Sequence, residues 1–91
     1  MKERKHAGYT IIKSIKINDT PEVEYVLGEN SNAPSPYVTW FCENGKNYYF
    51  GYYCSDKMAG TLDLYERSKL EISVQIMHMK NYIKEQNKEA Q

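Results

Sequence analysis

Residues 37–54, YVTWFCENGKNYYFGYYC, decide the fold because they carry the strongest turn signal in the chain. Asn44 and Gly45 stand at the centre, between two runs of aromatic and β-branched residues. Both central positions of a two-residue type I′ turn need positive φ, which Asn and Gly adopt most readily. We therefore predict a β-hairpin that turns at Asn44 and Gly45.

A two-residue loop also predicts a register, in which Glu43 lies opposite Lys46 and Trp40 lies opposite Tyr49. One face of the hairpin must cover the core, and either face could be the exposed one. Large exposed apolar patches usually mark interaction sites, although tyrosines also tolerate half-burial with the hydroxyl in water. The face that carries Trp40, Tyr49 and Tyr53 is the predicted interaction surface.

Length and charge limit the classes of protein to which this chain can belong. The chain has 91 residues, with twelve basic and twelve acidic side chains and a formal net charge of zero. The length predicts one small domain, and the balanced charge predicts no overall electrostatic field that would attract nucleic acid or an anionic membrane. No stretch approaches the ~20 apolar residues of a spanning helix, and no apolar segment follows the charged N-terminus. We expect a cytoplasmic protein with a flexible leader (1–7), a single domain (8–88) and a frayed tail (89–91).

Two alternating β-branched runs, residues 9–17 and 22–27, predict a first hairpin around the turn residues Asn-Asp-Thr-Pro. Burial selects the register, since a slip by one residue would set the isoleucines beside glutamates. That register pairs Ile15 with Tyr25 and Ile17 with Val23. A loop rich in proline and glycine, residues 28–36, leads to the second hairpin, which completes a four-stranded antiparallel meander.

The remaining sequence predicts one long helix, from about residue 56 to about residue 87. Ser55 or Asp56 can cap its start, and Gly60 leaves open whether the helix is continuous there. A stripe repeats with steps of four and three, and only Lys69 interrupts its apolar character. Its members are Met58, Leu62, Tyr65, Lys69, Ile72, Ile76, Met79 and Ile83. The predicted fold is α+β, with this helix packed on one face of the sheet.

Element lengths predict that the helix outreaches the sheet. A helix of this size is roughly 45–48 Å long, whereas a nine-residue strand spans about 30 Å. The stripe nevertheless continues into the overhang, where Ile72, Ile76, Met79 and Ile83 form the predicted oligomer contact. The most economical partner is the same helix of a second copy, which predicts a homodimer. A kink that folds the helix end back is the competing explanation.

The residues that carry chemistry are few and scattered. Cys42 and Cys54 point to different faces of the predicted hairpin, so we expect free thiols and a reducing compartment. Neither has a Cys or His at metal-ligand spacing. The sequence shows no paired acids, no nucleophile–base set and no phosphate-binding motif. We therefore predict no catalytic residue, no metal, no cofactor and no enzymatic activity.

Nucleic-acid binding is the main alternative, because aromatic side chains on a sheet can stack against bases. That mechanism also needs basic residues along the backbone path. Only Lys46 and Lys57 lie near the aromatic hairpin, with Lys13 and Lys16 on the first strand. A small-molecule-binding or enzymatic domain is a more distant alternative.

Four segments, from about residue 9 to residue 68, carry a resemblance to a known family: GYTIIKSIKI, YVLGEN, NAPSPYVTWFCENGKNYYFGYYC and LDLYERS. Their order resembles a family of small uncharacterised proteins encoded on conjugative and other mobile elements of Gram-positive gut bacteria. The resemblance covers about two-thirds of the chain and assigns no residue a role. It implies a bacterial cytoplasmic accessory protein that binds host or element proteins. The predicted function is a non-enzymatic protein–protein interaction module that self-associates through its long helix.

Overall fold

The computed structural model describes residues 3–89 as a five-stranded antiparallel sheet followed by one long helix. The elements are β1 (Lys5–His6), β2 (Tyr9–Asp19), β3 (Glu22–Glu29), β4 (Tyr37–Glu43), β5 (Asn47–Cys54) and α1 (Lys57–Glu89). The strands lie in the sheet in chain order. The predicted α+β class and antiparallel meander are confirmed.

The predicted number of strands is wrong by one. The leader contributes β1, which pairs with the start of β2 through Lys5 opposite Thr10 and His6 opposite Tyr9. Ala7 and Gly8 make the connecting turn, and both have positive φ. The first two residues of the predicted leader and the last two of the predicted tail lie outside the described residues.

The β4–β5 hairpin turns at the predicted place. Asn44 has φ 56° and Gly45 has φ 71°, and the Lys46 N–H donates a hydrogen bond to the Glu43 carbonyl at 3.2 Å. The predicted register is wrong, because Glu43 pairs with Asn47 rather than with Lys46. The turn therefore holds one more residue than its two-residue form.

A β-bulge shifts the same hairpin a second time. Between Thr39 and Phe41 the register changes, and Phe50 on the facing strand has φ 56°. An inserted residue of this kind re-aims the side chains that follow it. As a result, Tyr49 pairs with Phe41, while Tyr53 pairs with Val38.

The first hairpin follows its predicted register only in part. Ile15 pairs with Tyr25, as expected, but Val23 pairs with Asn18 because the register shifts at Ile17. A second shift at residue 12 changes the faces presented along β2. Because each shift changes the face on which the next side chains lie, the polar and charged residues of β2 can stay out of the core where the sequence alternation is interrupted.

The helix begins where the sequence places its cap. The Ala59 N–H donates a hydrogen bond to the Asp56 carboxylate at 2.8 Å, which satisfies one of the free donors of the first turn. The helix then runs without interruption through Gly60 to Glu89. It packs on β3 and β4 through a narrow line of buried residues, Gly60, Leu64 and Ser68.

The face of the sheet opposite the helix is also buried. Its core consists of Tyr9, Val26, Val38, Trp40 and Cys42. The long loop between β3 and β4 folds over this core, since Ala33 packs against it and the Tyr9 hydroxyl donates a hydrogen bond to the Ser35 carbonyl at 2.7 Å. Neither face of the central sheet is left open as a whole.

Candidate interaction surfaces

The structure buries Trp40, the central residue of the predicted interaction surface. Trp40 is only 4% exposed. The His6 ring meets it edge to face at 4.9 Å and stacks on Tyr48 at 4.2 Å. The predicted leader thus covers the indole, which removes Trp40 from the surface.

Arg4 fixes this cover in place. Its guanidinium lies 3.0 Å from the Glu24 carboxylate and donates a hydrogen bond to the Tyr48 hydroxyl at 3.3 Å. Burial is the largest single influence and disfavours the charge on Arg4, but the hydrogen bonds and the electrostatic attraction of Glu24 and Tyr48 together outweigh it and raise the pKa of Arg4 above its ordinary value. Because Glu24 is buried, this ion pair holds β1 against the sheet.

The other two predicted surface residues are exposed but separated. Tyr49 lies beside Phe41 on the helix side of the sheet, with ring centroids 6.4 Å apart. Tyr53 contacts Tyr9 from the opposite side at 6.2 Å. The structure therefore does not bring Trp40, Tyr49 and Tyr53 together on one surface.

The exposed aromatic surface follows the edge of the sheet instead. Strand β5 is the last strand in the sheet order, and Phe50 at its bulge is 76% exposed. The exposed rings of this strand, named here the β5 edge, are Tyr49, Phe50, Tyr52 and Tyr53. Sequence alternation assigns these rings to two faces of the strand, and it does not predict the bulge. At the edge of the sheet the rings of both faces are exposed.

The second surface is the apolar stripe of α1, which lies along the flank of the helix and is open to solvent. The stripe lies roughly 100° around the helix from the buried line of Gly60, Leu64 and Ser68, at 100° per residue. Its seven apolar members are 39–82% exposed. The predicted oligomer contact is part of it, with Ile72 39%, Ile76 43%, Met79 55% and Ile83 57% exposed.

A polar cluster explains why the helix docks in this rotation. The Thr39 hydroxyl donates a hydrogen bond to the Asp63 carboxylate, and Arg67 donates one to the same hydroxyl at 2.9 Å. The Arg67 guanidinium also lies over the Tyr25 ring at 5.0 Å. These contacts satisfy buried polar groups and turn the apolar stripe towards solvent.

The overhang of the helix is as expected. Residues 76–87 are all exposed, and the molecule measures 61 × 25 × 20 Å. The competing explanation, a kink that folds the helix end back, is not observed, because α1 is one continuous helix from Lys57 to Glu89.

A cleft of about 350 Å³ lies between the β5 edge and α1. Asp63 and Glu66 contribute acidic groups to it, and Cys54 lies at its base. Burial raises the pKa of the Cys54 thiol, with a further contribution from Asp63. A thiol held neutral in this way is a poor nucleophile.

The remaining chemistry-bearing groups are also dispersed. Cys42 and Cys54 are free thiols, and burial raises the pKa of Cys42 as well. Within residues 3–89, no group of His, Cys, Asp and Glu side chains is arranged to hold a metal ion. No helix in that range is long and apolar enough to cross a membrane.

Comparison of the chain with protein-family models, with curated proteins and with solved structures finds no match.

Proposed function

We propose that this chain is a non-enzymatic protein–protein interaction module that self-associates through the exposed stripe of α1. The observation that carries the proposal is the length of the stripe, which runs from Met58 to Ile83 and lies open to solvent along that length. Monomeric proteins rarely expose apolar surface on this scale.

The stripe has the spacing of a coiled coil. Its residues occupy the a and d positions of four consecutive heptads, a pattern typical of helices that pair. The a positions are Leu62, Lys69, Ile76 and Ile83, and the d positions are Met58, Tyr65, Ile72 and Met79. This set is named the heptad seam below.

The exposed area suits a stable interface. Together the apolar residues of the heptad seam expose on the order of 800 Å², which is the area that each partner contributes to a standard interface. A domain of this length also has a small core, and oligomerisation is a common source of additional stability. Pairing of two seams would bury the largest apolar surface of the chain.

The β5 edge supplies a second surface for a different protein. Its strand carries no charged residue and no proline, which leaves the edge open to strand addition by an extended segment on either side of the bulge at Phe50, where the regular ladder is interrupted. The resemblance to mobile-element proteins supports a role as a bacterial cytoplasmic accessory protein. In this role the helix pairs two copies, and each copy presents one β5 edge.

Electrostatics favour a protein partner over nucleic acid at the β5 edge. The adjacent cleft carries the carboxylates of Asp63 and Glu66, which would repel phosphates, whereas nucleic-acid binding depends on neutralising them. The burial of Trp40 removes the largest ring from any base-stacking platform. No specific observation favours the nucleic-acid alternative.

Light scattering across a concentration series tests the proposal. The unaltered chain is expected to have the mass of a dimer, and Ile76→Asp and Ile83→Asp are each expected to give monomers, since a charge is placed in the heptad seam. Asn81→Asp is the matched control, because it adds the same charge on the opposite side of the same overhang. A monomeric unaltered chain at its highest soluble concentration would refute self-association.

A further inference from the structure

Resting on the proposed self-association, we propose that two copies pair their heptad seams as an antiparallel coiled coil centred near Val74. The overhang of each helix would then lie along the sheet-bearing half of the other.

Lys69 is the one charged residue in the heptad seam. In a parallel pair in register, each a position meets the same a position of the second copy, so two Lys69 ammonium groups would face each other. An antiparallel pair sets a positions against d positions. Centred near Val74, it places Lys69 beside Met79 of the second copy, where the alkyl stem can pack and the charge can reach water.

The flanking charges favour the same orientation and register. Glu66 and Lys80 both occupy the e position and are exposed. When the helices are antiparallel around Val74, each Glu66 comes within about 3 Å of Lys80 of the second copy along the helix axis, which gives two opposite-charge pairs per dimer. A shift by one heptad in either direction sets Lys80 against Ala59 or Ser73, and both ion pairs are lost.

The position of the sheet excludes the neighbouring register. The seam lies roughly 100° from the sheet-facing side of the helix, and Tyr65 of the seam lies over Lys13 of β2, with the ammonium 5.4 Å from the ring. A two-fold axis between antiparallel helices therefore puts both sheets on the same side of the helix layer. Each sheet is about 19 Å wide at 4.8 Å per strand.

Helices pack only 8–10 Å apart, so two such sheets cannot lie level with each other. The sheet contacts α1 through its first half, where the last partly buried residues are Val74 and Gln75. An axis near Val74 places the two sheets end to end, whereas an axis one half-heptad closer to the start of the helix makes them collide. Charge pairing and steric fit thus select the same register.

Distance measurement between spin labels tests the orientation. A label on Lys84→Cys lies ten residues beyond the axis, so the two labels in an antiparallel dimer are about 30 Å apart along the helices at 1.5 Å per residue. A parallel dimer would hold them at roughly the 8–10 Å spacing of the helix axes plus the label arms. Ser73→Cys is the matched control, with a short distance in both orientations.

The native thiols do not interfere, since Cys42 and Cys54 are buried, and the unaltered chain treated with the label measures any background. A dimer with a short distance at Lys84→Cys would overturn the antiparallel arrangement and leave self-association intact. A monomer in light scattering would overturn both.

Charge exchange tests the register. Glu66→Lys and Lys80→Glu each replace two attractive pairs by two repulsive ones, and each is expected to raise the dimer dissociation constant about tenfold. The double variant restores the pairs with reversed sign and is expected to return the constant to within about twofold of the original. A double variant as weak as the sum of the single ones would refute the register.

Discussion

Gly60 of α1 lies so close to Leu27 of β3 that a Cβ at position 60 would stand 2.9 Å from Leu27 Cδ1. The same Cβ would be 3.2 Å from the Cβ of Tyr37. Leu27 is fully buried and has little freedom to move aside. The glycine that seems unsuited to a helix interior is therefore what permits the helix to approach the sheet.

Gly60→Ala is expected to lower the free energy of unfolding by about 1 kcal/mol, the middle of a net range of roughly 0–2 kcal/mol. The overpacking cost of about 1–3 kcal/mol exceeds the gain of about 1 kcal/mol in helix propensity. Urea denaturation at one fixed protein concentration measures the change. Asn81→Ala, at an exposed helix position, serves as the control and is expected to be neutral or slightly stabilising. A Gly60→Ala variant of increased stability would contradict the close approach.

Arg4→Met is expected to destabilise the protein by about 2 kcal/mol, because it leaves the buried Glu24 carboxylate without its charged partner. The figure is below the range for fully buried pairs since the Arg4 side chain is 37% exposed. Glu24→Gln removes the buried charge itself, so a smaller loss of about 1 kcal/mol is expected. Chemical denaturation of both variants measures which of them loses more stability. Equal stability of Arg4→Met and the unaltered chain would contradict the role of the ion pair.

Stability is expected to fall at alkaline pH because burial raises the pKa of both thiols. A raised pKa in the folded state gives stability that is complete below the unfolded thiol pKa of about 8.5 and is lost as the pH rises further. Above that pH the free energy of unfolding falls with a slope that approaches about 1.4 kcal/mol per pH unit for each thiol.

Denaturation between pH 7.5 and 9.0 measures the start of this slope, at a pH where tyrosines with a pKa of about 10 are still largely protonated. The variant with Cys42→Ala and Cys54→Ala is expected to start from lower stability, because a core side chain is lost, yet to show a flatter pH dependence. An unchanged slope in this variant would assign the alkaline loss to other groups.

Trp40 gives a direct optical test of the cover formed by β1. It is the single tryptophan of the chain, and the His6 and Tyr48 rings enclose it. Emission from a buried indole is expected at short wavelength, with little quenching by acrylamide. His6→Ala is expected to increase quenching severalfold, whereas Lys5→Ala, on the same short strand but exposed, is expected to leave it unchanged.

Local sequence signals predicted the positions of most elements correctly. The Asn44–Gly45 turn follows from the positive φ that both residues tolerate, and the Asp56 cap follows from its carboxylate and the free N–H groups of a helix start. The overhang of α1 follows from element lengths alone. These properties depend on neighbouring residues or on simple dimensions, so the sequence by itself determined them.

Only the tertiary structure decided which surfaces are exposed. One additional residue in the turn and the bulge at Phe50 changed the register of β5, and pairing of β1 brought His6 over Trp40. The polar contacts of Thr39, Asp63 and Arg67 set the rotation of α1. The cover over Trp40 and the rotation of α1 depend on residues far apart in the chain, whose pairing energies have no counterpart in local spacing. The apolar stripe and its overhang beyond the sheet were therefore visible in the sequence, but the exposure of the stripe along the part of α1 that packs on the sheet was not.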